Sequence, residues 1–196
     1  MKGRTIITKP GSDSRFPVFL PILPASSIQH FRARAPGNRT DSDMSAWGDA
    51  AHWQRLVSGE DCPICSKRGG WDPVAELDVS SVMTAADGPM RGYCWLPLRR
   101  HAVELHDLGP EEAAAYMRDL MRVSLAVQEV TGAVKMNYEI HGNTVPHLHT
   151  HIFPRYRGDR FEHGPIDPRA VKVPVYPAGG LERFRAELRE ALDRQV

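Results

Sequence analysis

Three of the chain's nine histidines fall within five positions, in the His-Leu-His-Thr-His run of residues 147–151. Successive side chains of a β-strand point to opposite faces, so a strand here would project all three imidazoles from one face. Leu148 and Ile152 would then lie on the opposite face and anchor the strand in a hydrophobic core. Neither core packing nor a solvated edge requires three aligned histidines. The run therefore predicts a half-buried strand that carries a functional site.

Aligned imidazoles are suited to two kinds of chemistry. Three histidines hold zinc in some hydrolases and leave a fourth position open for water. Alternatively, one imidazole is a nucleophile and its neighbours support it. The reference pKa of histidine, near 6.5, leaves the ring substantially neutral at physiological pH, so a ring whose other nitrogen is held by a hydrogen bond can attack phosphorus. The residues alone leave both chemistries open.

Cys62 and Cys65 form a second candidate site. Their two-residue spacing lets both thiolates reach one ion, which is half of a tetrahedral zinc site, although a redox pair or two buried thiols would have the same spacing. The third cysteine, Cys94, lies in an apolar run, and we expect it to pack in the core. Three cysteines are too few for a secreted disulfide framework, so they indicate a reducing cytoplasm.

Composition narrows the class of protein. A chain of 196 residues is about one domain long. Lys and Arg total 25 against 24 Asp and Glu, so the basic excess typical of proteins that bind long nucleic acid is absent. The apolar run over residues 16–23 is short and broken by two prolines, and it predicts neither a membrane span nor a signal peptide. We expect a cytoplasmic protein with a small-molecule partner.

The chain divides into three predicted parts. Residues 1–43 hold scattered proline, glycine and arginine without a sustained period, and we expect an extended or disordered N-terminal arm. Residues 44–160 form the central domain. Residues 161–196 form a C-terminal extension with an amphipathic helix, whose apolar face comprises Leu181, Phe184, Leu188 and Leu192.

Within the central domain, apolar periodicity and turn residues predict the elements. A short helix is expected over residues 46–56, then an antiparallel hairpin of residues 74–82 and 92–98. Proline and two acids in the first turn predict a long helix over residues 110–132. Strands follow at residues 134–140 and 145–153. The predicted buried stripe of the long helix comprises Met117, Leu120, Met121, Leu125 and Val127.

The histidine run and its flanks, Gly-Asn-Thr-Val-Pro-His-Leu-His-Thr-His-Ile-Phe-Pro-Arg over residues 142–155, resemble the histidine-triad superfamily signature His-φ-His-φ-His-φ-φ. Thr150 departs from it at an apolar position. Residues 92–101 and 104–112 resemble the family's second strand and the turn into its long helix. The resemblance covers roughly residues 60–156, in the family's order, and implies an α+β fold: an antiparallel sheet of about five strands with a long helix on one face, usually as a homodimer.

The same resemblance implies roles for individual residues. His149, in the middle of the triad, would attack the α-phosphorus and carry the nucleotidyl group, and His151 would assist by hydrogen bonding around the phosphate. A histidine rather than a glutamine at position 151 favours the hydrolase branches over the transferases. Asn143, with Thr144 beside it, would contact phosphate oxygens or the leaving group, and Arg155 is a further candidate.

Many bacterial histidine-triad proteins complete a structural zinc site with a histidine after the second strand and the first triad histidine. The matching positions are His101 and His147, with His106 as an alternative to His101. The resemblance thus implies zinc on Cys62, Cys65, His101 and His147, which leaves His149 and His151 free for chemistry.

We therefore expect a bacterial-type hydrolase of a nucleotidyl-phosphorus bond, acting through a covalent intermediate on His149 and without an organic cofactor. A dinucleoside polyphosphate such as diadenosine tetraphosphate is the expected substrate. A nucleoside phosphoramidate hydrolase of the same family is one alternative. A non-catalytic nucleotide-binding protein and a zinc hydrolase that uses all three histidines as ligands are the others.

Overall fold

A five-stranded antiparallel sheet forms the centre of the computed structural model, which describes residues 46–66, 72–171 and 174–195. The strands are β1 (Ala75–Glu76), β2 (Ser81–Thr84), β3 (Cys94–Pro97), β4 (Lys135–Ile140) and β5 (His149–Arg155), in the order β1-β2-β3-β5-β4. The helices are α1 (Ala50–Val57), α2 (Pro110–Thr131) and α3 (Gly180–Asp193), with short 3-10 turns at Ala46–Gly48, Leu105–Asp107 and Pro168–Ala170. The α+β prediction is confirmed. The predicted arm of residues 1–43 lies outside the described residues.

The two faces of the sheet differ in what covers them. One face packs on α2 through buried side chains that include Leu96 and Ile152. Tyr116 of α2 donates its hydroxyl to the carbonyl of Leu96 at 2.7 Å and also meets the Thr150 hydroxyl at 2.8 Å. Thr150, the departure from the triad signature, therefore has a buried polar partner on the helix side. The side chains of His149 and His151 alternate with Thr150 and lie on the opposite face.

Helix α2 has the predicted ends but not the predicted buried stripe. Leu120 and Val127 are buried as expected, whereas Met117, Met121 and Leu125 are 49%, 58% and 59% exposed. The sequence carries two apolar stripes on this helix, and its periodicity alone does not tell which of them meets the sheet. The stripe that packs on the sheet consists of Tyr116, Leu120, Val123 and Val127.

The first predicted hairpin strand, residues 74–82, is wrong as a single strand because a tight turn divides it into β1 and β2. The buried carboxylate of Asp119, on α2, accepts hydrogen bonds from the backbone N–H groups of Val79 and Ser80 at 3.0 and 3.1 Å, and from the Ser80 hydroxyl at 2.7 Å. A buried carboxylate is stable when donors surround it. Helix α2 thus holds the turn, which no local pattern reveals.

Helix α3 lies on α2 and completes the same core. Phe184, Leu188 and Leu192 are buried as predicted. The Arg189 guanidinium donates to the carbonyl of Val74 at 3.0 Å, just before β1. The helix of the predicted extension is therefore packed against the sheet and α2. Among the described residues, no helix is long and apolar enough to cross a membrane.

Candidate functional site

The triad does not lie on one strand as predicted. Strand β5 begins at His149, four residues later than expected, and His147 precedes it. The His147 ring is fully buried and meets the Sγ atoms of Cys62 and Cys65 through Nδ1. The prediction that one strand carries all three imidazoles is therefore wrong for His147. The triad instead divides between two sites, one at the cysteines and one on the face of the sheet opposite α2.

His149 is held with one ring nitrogen free. Its Nδ1 lies 2.5 Å from the backbone carbonyl oxygen of His147. Because a carbonyl only accepts hydrogen bonds, Nδ1 carries the proton and Nε2 keeps its lone pair. The ring stands edge-on to Trp95, with the centroids 6.0 Å apart. Burial lowers the pKa of His149 and keeps the imidazole neutral, which is the form that can act as a nucleophile.

His151 lies beside His149, with the ring centroids 4.8 Å apart and the planes nearly perpendicular. Its Nδ1 is 2.7 Å from the hydroxyl oxygen of Tyr93. Burial lowers the pKa of His151 to about 4, and the neighbouring His149 and His141 add to that shift. Two neutral imidazoles in contact can have different roles: one can supply a lone pair and the other a hydrogen-bond donor.

The loop between β4 and β5 supplies other polar groups near the histidines. The His141 ring lies 5.7 Å from that of His151, and its Nε2 is 3.0 Å from a carboxylate oxygen of Glu139. Asn143 and Thr144 are exposed in the same loop, upstream of the triad. Their contact with phosphate stays a prediction.

Arg155 is occupied by an ion pair. It ends β5, is 7% exposed, and donates through Nε and Nη2 to the two carboxylate oxygens of Asp159 at 2.9 and 2.8 Å. The hydrogen bonds from the Arg155 guanidinium lower the pKa of Asp159 to about 2. This pairing ties β5 to the following loop. The predicted phosphate contact of Arg155 stays a prediction, and the ion pair competes with it.

Four side chains from distant parts of the chain form a group that could hold a metal ion. The ligand atoms of Cys62, Cys65, His101 and His147 lie within 4.8 Å of one another. Three of the sulfur-to-Nδ1 distances are 3.4, 3.4 and 3.5 Å. Zinc bonded tetrahedrally to sulfur at 2.3 Å and nitrogen at 2.0–2.1 Å would separate these atoms by roughly 3.5 Å. The group therefore fits zinc.

Backbone carbonyls orient the two histidines of this group. Nε2 of His147 donates to the carbonyl of Leu98 at 2.7 Å, and Nε2 of His101 donates to that of Val57 at 2.9 Å. Each Nδ1 is thereby left with its lone pair toward the sulfurs, as in metal sites where an outer partner fixes the tautomer. Gly59, with φ +88°, lies against His101, and a Cβ there would come within 3.2 Å of the ring. His106 is outside the group.

A cavity of about 310 Å³ opens on the same face as His149 and His151. Trp95 and Pro97, which line it, are the cross-strand partners of His151 and His149. Apolar side chains make most of the wall, together with Glu76, Ser81 and Arg99. The sequence reading missed Trp95 and Tyr93 as site residues. Period-two alternation shows that positions 93, 95 and 97 share a face, but it does not show that this face meets the triad.

Comparisons with known proteins agree with this fold. The family model of the HIT domain matches residues 72–158. A histidine triad protein from Bradyrhizobium japonicum superposes with a TM-score of 0.57 and 31% identity, covering 65% of this chain and 94% of that one. A zinc-bound histidine triad family protein from Mycobacterium smegmatis has a TM-score of 0.52 at 23% identity, covering 69% and 96%, and shares the fold. The chain belongs to the histidine triad family.

Among curated proteins, a bis(5'-adenosyl)-triphosphatase of Saccharomyces cerevisiae is 36% identical over 67 residues, which is 32% of this chain and 32% of that protein. The chain spans about a third of the length of the curated relatives it matches. Membership of the histidine triad family is confirmed by the relative from Bradyrhizobium japonicum.

Proposed function

We propose that the protein is a nucleotide hydrolase that cleaves a nucleotidyl-phosphorus bond through a covalent intermediate on His149. The observation that carries the proposal is the His149 ring: its Nδ1–H is fixed on a backbone carbonyl at 2.5 Å, and burial keeps the ring neutral. An imidazole held in this way presents Nε2 as a nucleophile without needing a separate base.

The proposed reaction has two displacements at phosphorus. Nε2 of His149 bonds to the α-phosphorus as the bond to the leaving phosphate breaks, and the electron pair of that bond stays with the leaving oxygen. The carbonyl of His147 accepts from Nδ1–H throughout and offsets the positive charge of the substituted ring. Water then bonds to phosphorus, the nitrogen-phosphorus bond breaks, and a proton passes to solvent, which restores neutral His149.

A dinucleoside polyphosphate such as diadenosine tetraphosphate is the proposed substrate. The cavity beside Trp95 and Pro97 offers a mainly apolar wall to a nucleoside, and the Trp95 ring lies 6.0 Å from that of His149. The name of the curated yeast relative, bis(5'-adenosyl)-triphosphatase, supports a phosphoric anhydride over a phosphoramidate. A small nucleotide, rather than long nucleic acid or a membrane, is the partner, and the cytoplasm is the proposed location.

A zinc hydrolase that uses the whole triad is disfavoured by the geometry. Among residues 46–66, 72–171 and 174–195, the metal-ligating group includes His147 but neither His149 nor His151. We therefore assign zinc a structural role on Cys62, Cys65, His101 and His147, where it would tie the segment after α1 to the ends of two loops. The zinc-bound relative from Mycobacterium smegmatis supports that assignment.

The protein is proposed to act as a homodimer. Strand β4 is an edge of the sheet, and Tyr138 and Ile140 on it are 47% and 42% exposed. Their cross-strand partners, Ile152 and Thr150, lie on the α2 side, so these two side chains share a face of the sheet with α2, whose residues Met117, Met121 and Leu125 are also exposed. An apolar surface beside an edge strand of the described sheet suits a second copy of the chain.

The first experiment compares turnover of diadenosine tetraphosphate and of a fluorogenic adenosine phosphoramidate by the wild type and by His149→Ala. We expect the variant to lose at least about a hundredfold in kcat, and a nucleotidyl adduct on wild-type His149 in the mass spectrum. His106→Ala, which removes an exposed histidine, should keep full activity. Faster turnover of diadenosine tetraphosphate would indicate a dinucleoside polyphosphate hydrolase, and faster turnover of the phosphoramidate would indicate a phosphoramidate hydrolase.

Folding of each variant is checked by circular dichroism. If folded His149→Ala retains wild-type activity, covalent catalysis at His149 is wrong. If the wild type binds nucleotide and cleaves neither compound, the hydrolase proposal is wrong and a nucleotide-binding role replaces it.

A further inference from the structure

We propose that Tyr93 is a positioning residue that fixes the tautomer of His151, leaving the ring proton on Nε2. Its consequence for turnover rests on the proposed hydrolase function, whereas the tautomer itself does not. The inference starts from one contact, the 2.7 Å between the Tyr93 hydroxyl oxygen and Nδ1 of His151.

The tyrosine ring is held on two sides, so the hydroxyl is placed rather than free to swing. Its ring centroid lies 5.1 Å from that of Phe153, which is two positions after His151 on β5. On the turn side, a Cβ at Gly88 would come within 2.6 Å of the Tyr93 ring, so the close approach requires glycine there. The Tyr93 and His151 rings are nearly parallel, with an interplanar angle of 18°.

The direction of the hydrogen bond follows from which group needs a partner. Among the described residues, His151 is the one hydrogen-bond partner of the Tyr93 hydroxyl. The phenol proton is therefore satisfied within the protein only when it points at Nδ1, which must then carry a lone pair. Burial raises the pKa of Tyr93 above its usual value, so the phenol stays protonated and remains a donor.

Two neighbouring histidines are thereby set in opposite tautomers. The His147 carbonyl keeps the proton of His149 on Nδ1 and leaves Nε2 as a lone pair. The Tyr93 hydroxyl keeps the proton of His151 on Nε2 and makes that nitrogen a donor. A lone pair and a donor on adjacent rings match the two needs of displacement at phosphorus, attack on the phosphorus and a hydrogen bond to one of its oxygens.

The test is Tyr93→Phe, which keeps the aromatic ring and removes the hydroxyl. Proton-nitrogen correlation NMR of ¹⁵N-labelled protein without substrate, assigned with His151→Gln, reports which nitrogen of His151 carries the proton. We expect Nε2–H in the wild type and a mixture of both tautomers in Tyr93→Phe. With diadenosine tetraphosphate we expect kcat to fall about tenfold and KM to stay nearly unchanged, as for one lost hydrogen bond in the transition state.

Tyr156→Phe is the matched control, since its hydroxyl bonds to the carbonyl of Arg91 and its loss should leave His151 and kcat as in the wild type. A wild-type spectrum with the proton on Nδ1 overturns the proposal, as does a folded Tyr93→Phe variant with wild-type kcat. If the wild type turns over no substrate, the hydrolase function fails, and the NMR comparison of wild type with Tyr93→Phe alone decides the positioning role.

Discussion

At the scale of single residues, burial of the triad couples folding to pH. The pKa of His151 is about 4 in the folded protein, below the ordinary value of 6.5, because burial disfavours the charged ring. Between these two values the unfolded chain binds more protons than the folded one. The stabilising contribution of neutral His151 is therefore complete above pH 6.5 and is lost as the pH falls toward 4.

His151→Gln should reduce this dependence. We expect the free energy of unfolding of the wild type to fall more between pH 7 and pH 5 than that of the variant, as measured by urea denaturation at both values. His106→Gln, at an exposed position, should behave as the wild type. An equal fall in the wild type and His151→Gln would show that His151 does not titrate across the transition.

At the scale of elements, the segment after α1 depends on the metal site. We expect one zinc per chain in the purified protein, none in Cys62→Ser, and a thermal midpoint lowered by at least about 5 °C when a chelator removes the metal. Cys94→Ala is the control, because Cys94 is buried in the core apart from the group and its loss should leave the zinc content unchanged. Absence of stoichiometric metal after reconstitution with zinc would contradict the assignment.

Among the helices and strands, some features could be predicted from the sequence and others could not. The ends of α2 and the apolar face of α3 were predictable because proline, acids and periodicity act within a few residues. The break between β1 and β2 was not, because it depends on Asp119, about 40 residues away. The four-residue error at the start of β5 also put His147 inside a strand that it precedes.

Within the site, spacing and family resemblance predicted His149 and the cysteine-histidine group. The structure brings the four members of that group together and holds the His149 ring on a backbone carbonyl. The role of Tyr93 could not be predicted from the sequence, because its partner, His151, lies 58 positions away and no motif marks the pair. Resemblance thus supplies the reacting groups, while the groups that orient them need three-dimensional contacts.

At the scale of the whole molecule, the exposed stripe of α2 defines the proposed dimer surface. Met121→Glu places a charge in the middle of that stripe, and we expect the variant to sediment as a monomer where the wild type sediments as a dimer. Leu105→Glu changes an exposed apolar residue outside the stripe and should remain dimeric. A monomeric wild type, or a dimeric Met121→Glu, would refute this interface.

The packing of α3 bears on how the chain folds. The hydrogen bond from Arg189 to the carbonyl of Val74 joins residues 115 positions apart, and the buried face of α3 covers a core built mostly from earlier segments. Contacts of such long range must overcome a large loop-closure entropy before they stabilise anything. We infer that α3 docks late in folding, and that until then the apolar surface it covers on α2 is open to chaperones and to aggregation.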